Sequence, residues 1–418
     1  MKKMIKLILL FSFIICLVYL IRYTYINKEK FVDLTLKKRC LITDILFPTK
    51  FSKWRLVEIF SFIEKYDTDI LVINRINNFA DNIFPFDYEE IKDKFNLNSY
   101  DILIFNPEYN WINKFNNDFD GIKFNNKHKS DYLFRKKKFR NEIFNVINYD
   151  FIYHIFLMNY INFNQKYNYP FKNQFIHLYP GGGITDKNIL ENLENIIHPD
   201  VNIIVTQNFI SKNIKRINKI ELFGGPFYFE HENNKIKKKD NSNVLTICFT
   251  SLGNHISKGS NEYIQIVNLY KEKYQSDLVK FISIGPEYLD NTIKSLPSMS
   301  QYDLDDYYNN NVDIVINLTT GKEIDGFPLG IESILNGCIL LTTDTFNMNK
   351  SNNFNYNEFI IINKDNIEDI VNKIKMLYDD KNFYNKLLQE LQNKVYELYN
   401  YNNMFIKRFD FIDSNLIK

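Results

Sequence analysis

The chain has 418 residues, 45% of them hydrophobic and 16% aromatic, with a formal net charge of +2. That length exceeds what one core fills and predicts two domains of roughly 150–200 residues each. The balanced charge excludes an extended nucleic-acid-binding face, and the supply of Ile, Leu, Phe and Tyr excludes disorder. With only 13 glycines and 10 prolines, collagen-like and loop-dominated architectures are excluded too. Asn, Ile, Lys and Tyr are over-used throughout, so a lysine or an asparagine carries little functional signal in this chain.

The chain opens MKKMIKLILLFSFIICLVYLIRYTYINKEK, in which Leu7 to Ile21 pass without a charge. About a dozen strongly apolar residues, at roughly −0.3 to −0.6 kcal/mol each, favour insertion into a bilayer. Arg22, Tyr23 and Tyr25 follow the span where a cleavage site would need small residues. The expectation is an uncleaved signal-anchor helix and stem over residues 1–31, giving a single-pass membrane protein. Lys2, Lys3 and Lys6 precede the span, while Arg22, Lys28, Lys30, Lys37, Lys38 and Arg39 follow it, so the side of the membrane stays open. Two glycosylation sequons occur, at Asn317 and Asn349, the first inside an apolar strand pattern. The four cysteines, Cys16, Cys40, Cys248 and Cys338, form no CxxC pair and read as small buried hydrophobes rather than a disulfide or zinc framework.

From residue 41 onward, short apolar strands alternate with helices. Leu41–Phe47 reads as a strand, and residues 53–65 as an amphipathic helix whose Trp54, Val57, Phe60 and Ile63 recur at helical spacing. DILVIN (69–74) and DILIFN (101–106) are continuous apolar runs of the kind buried in a parallel sheet. Further strands are expected at 151–156, 174–179, 201–207 and 220–223. The polar stretch HENNKIKKKDNSN then reads as a solvated linker, residues 231–243. Beyond it the α/β rhythm restarts, with strands at 243–251, 278–286, 312–320 and 338–344. Helices are expected at 261–274, 303–310 and 329–335, and they dominate from residue 366. The division is thus residues 32–230, a linker at 231–243, and residues 244–418. Two doubly wound halves would bind a ligand between the carboxyl ends of their strands.

Three segments carry candidate chemistry. In FIHLYPGGGITD, His177 ends a strand, and Gly181, Gly182 and Gly183 precede a helix that Thr185 or Asp186 would cap. The simpler alternative for His177 is a structural histidine bonded to backbone. In TSLGNHISKGSNEY, Gly253, Lys258 and Gly259 lie in a loop before a helix that Ser260 would cap. A lysine at a helix start can pair with a diphosphate, and glycine lets the backbone approach it. In TTGKEIDGFPLGIESILNGCILLTTD, a strand ends at Thr320. Lys322, Glu323 and Asp325 crowd the following loop, and Glu332 lies on the next helix, whose first amides favour an anion. His154, His198 and His231 show no metal-ligand spacing, and the acids of DLDDYY (303–308) read as solvent-facing on a helix.

The segment DGFPLGIESILNGCILLTTD resembles the donor-binding segment of retaining glycosyltransferases of the large family 4 group, which have the GT-B fold. Asp325 stands at that family's first Glu and Glu332 at its second, with Gly326, Phe327, Leu329 and Gly337 in order between and after them. Two departures are visible: the first acid is Asp, and the pair is one residue closer than in the family. The resemblance implies a GT-B fold, two facing Rossmann-like domains with a cleft between them. It further implies a nucleotide-sugar donor, retention of configuration, and no metal or other cofactor. Lys258 and Gly259, with Gly253, would then hold the donor diphosphate, although Asn254 and His255 replace a further basic residue usual in the family. Gly326, Phe327, Pro328, Leu329 and Glu332 would line the donor. Asp325 would lie near the donor sugar, and His177 would face the reaction centre from the first domain. The glycine-rich loop common after the first strand is FPTKFSKW here, which leaves Lys50, Lys53 and Trp54 for the acceptor side. The expected partners are the donor, a glycan, lipid or protein acceptor, and membrane lipid. A GT-B-shaped binding or scaffold protein without turnover and a nucleotide-sugar epimerase are the alternatives.

Overall fold

The computed structural model describes residues 37–49, 53–75, 91–92, 97–106, 110–113, 130–179, 184, 186–206, 208–222, 244–251, 258–285, 289–319, 326–343, 360–398 and 405–416. The chain divides into two compact units, Met1–Lys38 and Arg39–Lys418. The expected membrane segment, with Cys16, lies outside the described residues, as does the linker at 231–243. Among the described residues no helix is long and apolar enough to cross a membrane.

The second unit contains two sheets. The first is built from β1 (Arg39–Asp44), β2 (Asp67–Arg75), β3 (Tyr100–Asn106), β4 (Asn110–Asn113), β5 (Ser130–Lys136), β6 (Phe151–Ile155), β7 (Gln174–Leu178), β8 (Asn202–Val205) and β9 (Lys219–Glu221). Their order is β4-β3-β5-β2-β1-β6-β7-β8-β9. The run from β2 through β9 is parallel throughout. Helix α1 (Lys53–Lys65) connects β1 to β2, α2 (Leu157–Lys166) connects β6 to β7, and the short α3 (Lys187–Glu191) and α4 (Leu193–Ile196) lead to β8. Another short helix, α5 (Asn208–Ser211), precedes β9.

Two expectations are corrected here. DILIFN forms β3, but it pairs antiparallel with both β4 and β5. The sheet therefore carries an antiparallel extension beyond its parallel part, and the run is apolar because the strand is covered, whatever its direction. The helix at 53–65 forms as expected, yet its buried face is Arg55, Leu56, Glu58, Ile59 and Phe62. Val57, Phe60 and Ile63 lie at the half-buried margin. Two charged residues occupy the core face because buried counter-ions elsewhere in the chain meet them.

The second sheet holds β10 (Leu245–Thr250), β11 (Val279–Ile284), β12 (Lys294–Leu296), β13 (Ile314–Asn317) and β14 (Ile339–Thr342). All are parallel, in the order β12-β11-β10-β13-β14. The connecting helices are α6 (Ser260–Tyr274), α7 (Gln301–Asn311) and α8 (Gly326–Leu335), and α9 (Ile367–Asp379), α10 (Lys381–Leu398) and α11 (Lys407–Leu416) complete the chain. Successive strands go outward to one side from β10 and then return to its other side. The direction of winding reverses between β10 and β13, and ligands of open α/β sheets bind at the carboxyl ends of such a strand pair. Cys40, Cys248 and Cys338 are buried, as the sequence suggested.

The last helix packs on the first sheet rather than the second. Phe409 meets Phe62 edge-on at 5.2 Å between ring centroids, and Phe411 meets Phe175 at 6.2 Å. Lys65 bonds Asp413 at 2.7 Å, and the Tyr66 hydroxyl donates to the same carboxylate at 3.2 Å.

Candidate functional site

The carboxyl edge of the second sheet carries side chains that hold the ends of β13 and β14 in register. Asn317, the last residue of β13, donates from Nδ2 to Thr342 Oγ1 at 3.0 Å, and its Oδ1 accepts from the backbone and hydroxyl of Thr319 at 3.2 and 2.6 Å. Thr343 donates its hydroxyl to the Thr319 carbonyl at 2.7 Å. The carboxyl ends of β13 and β14 are thereby tied together. Asn317 is also the first sequon, and its amide is buried and doubly engaged.

Helix α6 begins at this edge. The residue expected to cap it, Ser260, is already its first helical residue; the cap is Gly259, with φ +88°. The reason is space as well as backbone conformation. A Cβ on Gly259 would lie 2.4 Å from Leu318 Cβ and 2.9 Å from the Leu318 carbonyl oxygen. The Gly259 backbone is thus pressed onto the segment that follows β13, at the point where the winding reverses. Lys258 precedes it and is buried. Tyr263, one turn into α6, donates its hydroxyl to the carbonyls of Ile247 and Ile282 at 3.1 and 2.9 Å, which fixes the helix on β10 and β11. The first amides of α6 carry the positive end of the helix dipole and suit an anion.

Helix α8 brings the second carboxylate. Glu332 is buried, one turn before the helix ends. That end is a left-handed cap of the Schellman type: Gly337 has φ +82°, the Gly337 amide donates to Ile334 at 3.0 Å, and the Cys338 amide donates to Ser333 at 2.9 Å. Gly330, on the same helix, faces the side chain of Leu340 on β14. Behind the β10 end, the Tyr308 and Thr250 hydroxyls are 2.6 Å apart. Burial above all pushes the Tyr308 hydroxyl well above its ordinary range, with Cys248 and then Glu332 among the charges that add to it. Ser251, the residue after β10, is buried with no hydrogen-bond partner for its Oγ among the described residues, and composition had not marked it.

The structure therefore places Gly259, with the buried Lys258 before it, against the segment after β13, and Glu332 as a buried residue of α8. Gly326, Phe327, Pro328 and Leu329 form the first part of α8. Gly253 and Asp325 lie outside the described residues, as do Gly181–Gly183, Thr185, Lys50, Lys322, Glu323, His231, His255 and Asn349. Asp186 caps α3 by accepting from the amides of Asn188 and Ile189. Of the acids in DLDDYY, Asp305 is buried and accepts from Asn336 Nδ2 at 2.9 Å, so that group does not all face solvent.

On the first sheet, His177 is the penultimate residue of β7, and its ring is wholly enclosed. Its Nδ1 lies 2.9 and 3.1 Å from the two carboxylate oxygens of Glu58, and Nε2 lies 3.4 Å from Thr206 Oγ1. These partners are side chains. Glu58 also accepts from Arg408 Nη1 at 2.8 Å and from the Tyr153 hydroxyl. Burial opposes ionisation of Glu58, but Arg408, His177 and Tyr153 together outweigh it and hold the carboxyl down to about 2. Burial pushes the His177 imidazole below its ordinary value despite the pull of Glu58, and Arg408 adds to that push.

His154 on β6 is buried between Thr43 Oγ1 at 2.8 Å and Gln174 Oε1 at 3.0 Å, and burial lowers it to about 3. Among the described residues no group of three or more His, Cys, Asp or Glu is placed to hold a metal ion. A groove of about 520 Å³ lies at the opposite, amino-terminal edge of the second sheet, lined in part by Lys271, Lys280 and Lys294.

A mixed first sheet, a parallel second sheet wound from its centre, and a last helix returning to the first define the GT-B-like class of α/β fold. No protein-family profile and no curated protein sequence matches the chain. Solved structures do share its fold. One is a glycosyltransferase from Rickettsia africae, covering 91% of this chain and 99% of that one at 14% identity, with a TM-score of 0.55. Another is Anabaena Alr3699/HepE in complex with UDP and glucose, covering 90% and 100% at 10% identity, with a TM-score of 0.50. The chain is also similar to S. aureus TarM, over 63% of its own length and 56% of TarM's, at 15% identity and a TM-score of 0.45. It thus spans little more than half of that protein. At these identities the likeness is one of fold.

Proposed function

We propose that the chain is a membrane-anchored glycosyltransferase that moves a sugar from a nucleotide-sugar donor to an acceptor, with retention and without a metal. The observation that carries this reading is the packing of Gly259, next to the buried Lys258, onto Leu318 at the reversal between β10 and β13. Such a place suits a nucleoside diphosphate, because helix-start amides and a lysine complement its charge while a carboxylate accepts from ribose hydroxyls. In this reading Lys258 and the α6 amides stabilise the departing diphosphate, and Gly253 and Gly259 let the backbone come close to it. Gly326, Phe327, Pro328 and Leu329 line the donor, Glu332 holds the ribose, and Asp325 orients the sugar. His177 belongs to the acceptor side. The sequence span Leu7–Ile21 supplies the anchor, and its orientation stays open.

The UDP bound to Alr3699/HepE makes UDP-sugars the first donors to try. A second reading, a scaffold without turnover, draws on the closer spacing of Asp325 and Glu332 and on Asn254 and His255 in place of a basic residue. Titration with UDP- and GDP-sugars, followed by donor hydrolysis and transfer, separates the two. The glycosyltransferase reading expects saturable binding and slow hydrolysis, both lost in Glu332→Ala. Binding without turnover across an acceptor panel supports the scaffold, and a Glu332→Ala protein as active as the parent overturns the site.

A further inference from the structure

We propose that Arg408 and Glu58 are positioning residues for His177, so that the last helix of the chain sets the geometry of the carboxyl edge of the first sheet. The inference rests on the glycosyltransferase reading above. Four side chains with no exposed surface converge on the Glu58 carboxylate or carry it: Glu58 from α1, Tyr153 from β6, His177 from β7 and Arg408 from α11. An ionised carboxylate only accepts hydrogen bonds, so His177 must donate from Nδ1. Its Nε2 then bears the lone pair and accepts from the Thr206 hydroxyl, just beyond β8. Glu58 thus selects one tautomer, and Arg408 is the permanent cation that keeps Glu58 ionised among otherwise neutral donors. Because the ring is enclosed, its influence on bound substrate runs through Thr206 and the strand ends.

The network is not what stability alone would select. Arg408 is fully buried, yet its Nε and Nη2 have no hydrogen-bond partner among the described residues. An unsatisfied buried donor is costly, and an apolar residue of similar size in place of a buried ion pair is often neutral or stabilising. Phe409 and Ile412 already seat the helix in the core. What Arg408 adds is a directed charge, delivered by a helix whose register Asp413 fixes against Lys65 and Tyr66.

The test compares full-length wild type, Arg408→Met and Arg408→Lys. The imidazole 15N signals of His177, identified by their loss in His177→Gln, report the tautomer. UDP affinity and donor turnover are measured in parallel. In Arg408→Met the His177 signals are expected to leave the single Nδ1–H form, with turnover falling about 10- to 100-fold at unchanged UDP affinity. Arg408→Lys, which keeps the charge, should recover most of both, and it decides the matter alone if Arg408→Met fails to fold. An unchanged tautomer in a folded variant overturns the proposal, as does a loss of thermal stability with turnover per folded molecule intact. A wild-type protein that binds no nucleotide-sugar overturns the glycosyltransferase reading instead, and the imidazole signals still report the coupling.

Discussion

Gly259 lies against Leu318 so closely that a methyl group on it would stand 2.4 Å from Leu318 Cβ and 2.9 Å from the Leu318 carbonyl oxygen. The contact joins the loop after β10 to the segment after β13, the two strands between which the second sheet reverses its winding. With φ at +88°, the same position also disfavours any side chain on conformational grounds.

Gly259→Ala should therefore destabilise the fold by about 1–3 kcal/mol and weaken donor binding with it. Gly330→Ala is the matched control. There the nearest atom, 2.6 Å away, is the end of the Leu340 side chain, which can turn aside. Urea unfolding of the two variants should separate them clearly, and equal costs would contradict the steric account.

Lys258→Met and Glu332→Gln should each weaken UDP binding by about 10- to 100-fold, the equivalent of one charge-assisted hydrogen bond. Calorimetric titration measures this directly. Added salt should reduce the Lys258 effect less than for a surface charge, because the lysine is buried. Affinities within twofold of wild type would remove both residues from the donor site.

Asn317→Leu should cost about 1–3 kcal/mol, since Thr342 and Thr319 would lose the amide that joins them. Thermal unfolding checks the cost, and UDP affinity should fall as the strand ends lose register. A stable variant with normal affinity would show that Thr343 holds the edge unaided.

Acid should destabilise the protein in two overlapping stages. Folded His154 takes up its proton only near pH 3, whereas the unfolded chain does so near 6.5, so stability falls as pH drops from 6.5. His177, also lowered by burial, acts in the same sense. Glu58 extends the loss from about pH 4.5 down to about 2, where the folded carboxyl finally protonates. Asp69 runs the other way, because burial raises it. Each fully expressed stage changes stability by about 1.4 kcal/mol per pH unit. Urea unfolding between pH 7.5 and 4 should show the decline, and His154→Gln should flatten its upper part; an unchanged slope would assign it elsewhere.

The second sheet was largely legible in the sequence because each of its main strands is a continuous apolar run between turns. The exception is β12, three residues long at a sheet edge, too short to carry a pattern. The first sheet was less legible. Strand β5, SDYLFRK, has charged residues that disguise it, and these charges are answered only in space: Lys166 reaches Asp131 at 2.9 Å, and Arg135 bonds the Glu142 carbonyl. The same holds for α1, where Arg55 pairs with Asp44 and Glu58 with Arg408, so charge marked residues as exterior that the fold encloses. Motif spacing drew attention to Lys258, Gly259 and Glu332. It was silent on Glu58, for whose carboxylate the nearest partner in sequence, Tyr153, is 95 positions away.

The Arg408–Glu58 pair, 350 positions apart, also bears on the order in which the protein can be made. A ribosome releases α1 and the first sheet long before it reaches Lys407–Leu416. Until those residues arrive, Glu58 faces the nascent core without its cation, and burying it alone would cost several kcal/mol. The first half of the chain is therefore unlike an autonomous domain that folds as it emerges. Its core closes only once Lys407–Leu416 have been made, and a stop codon a few residues before Arg408 would leave the earlier-made sheet unfinished.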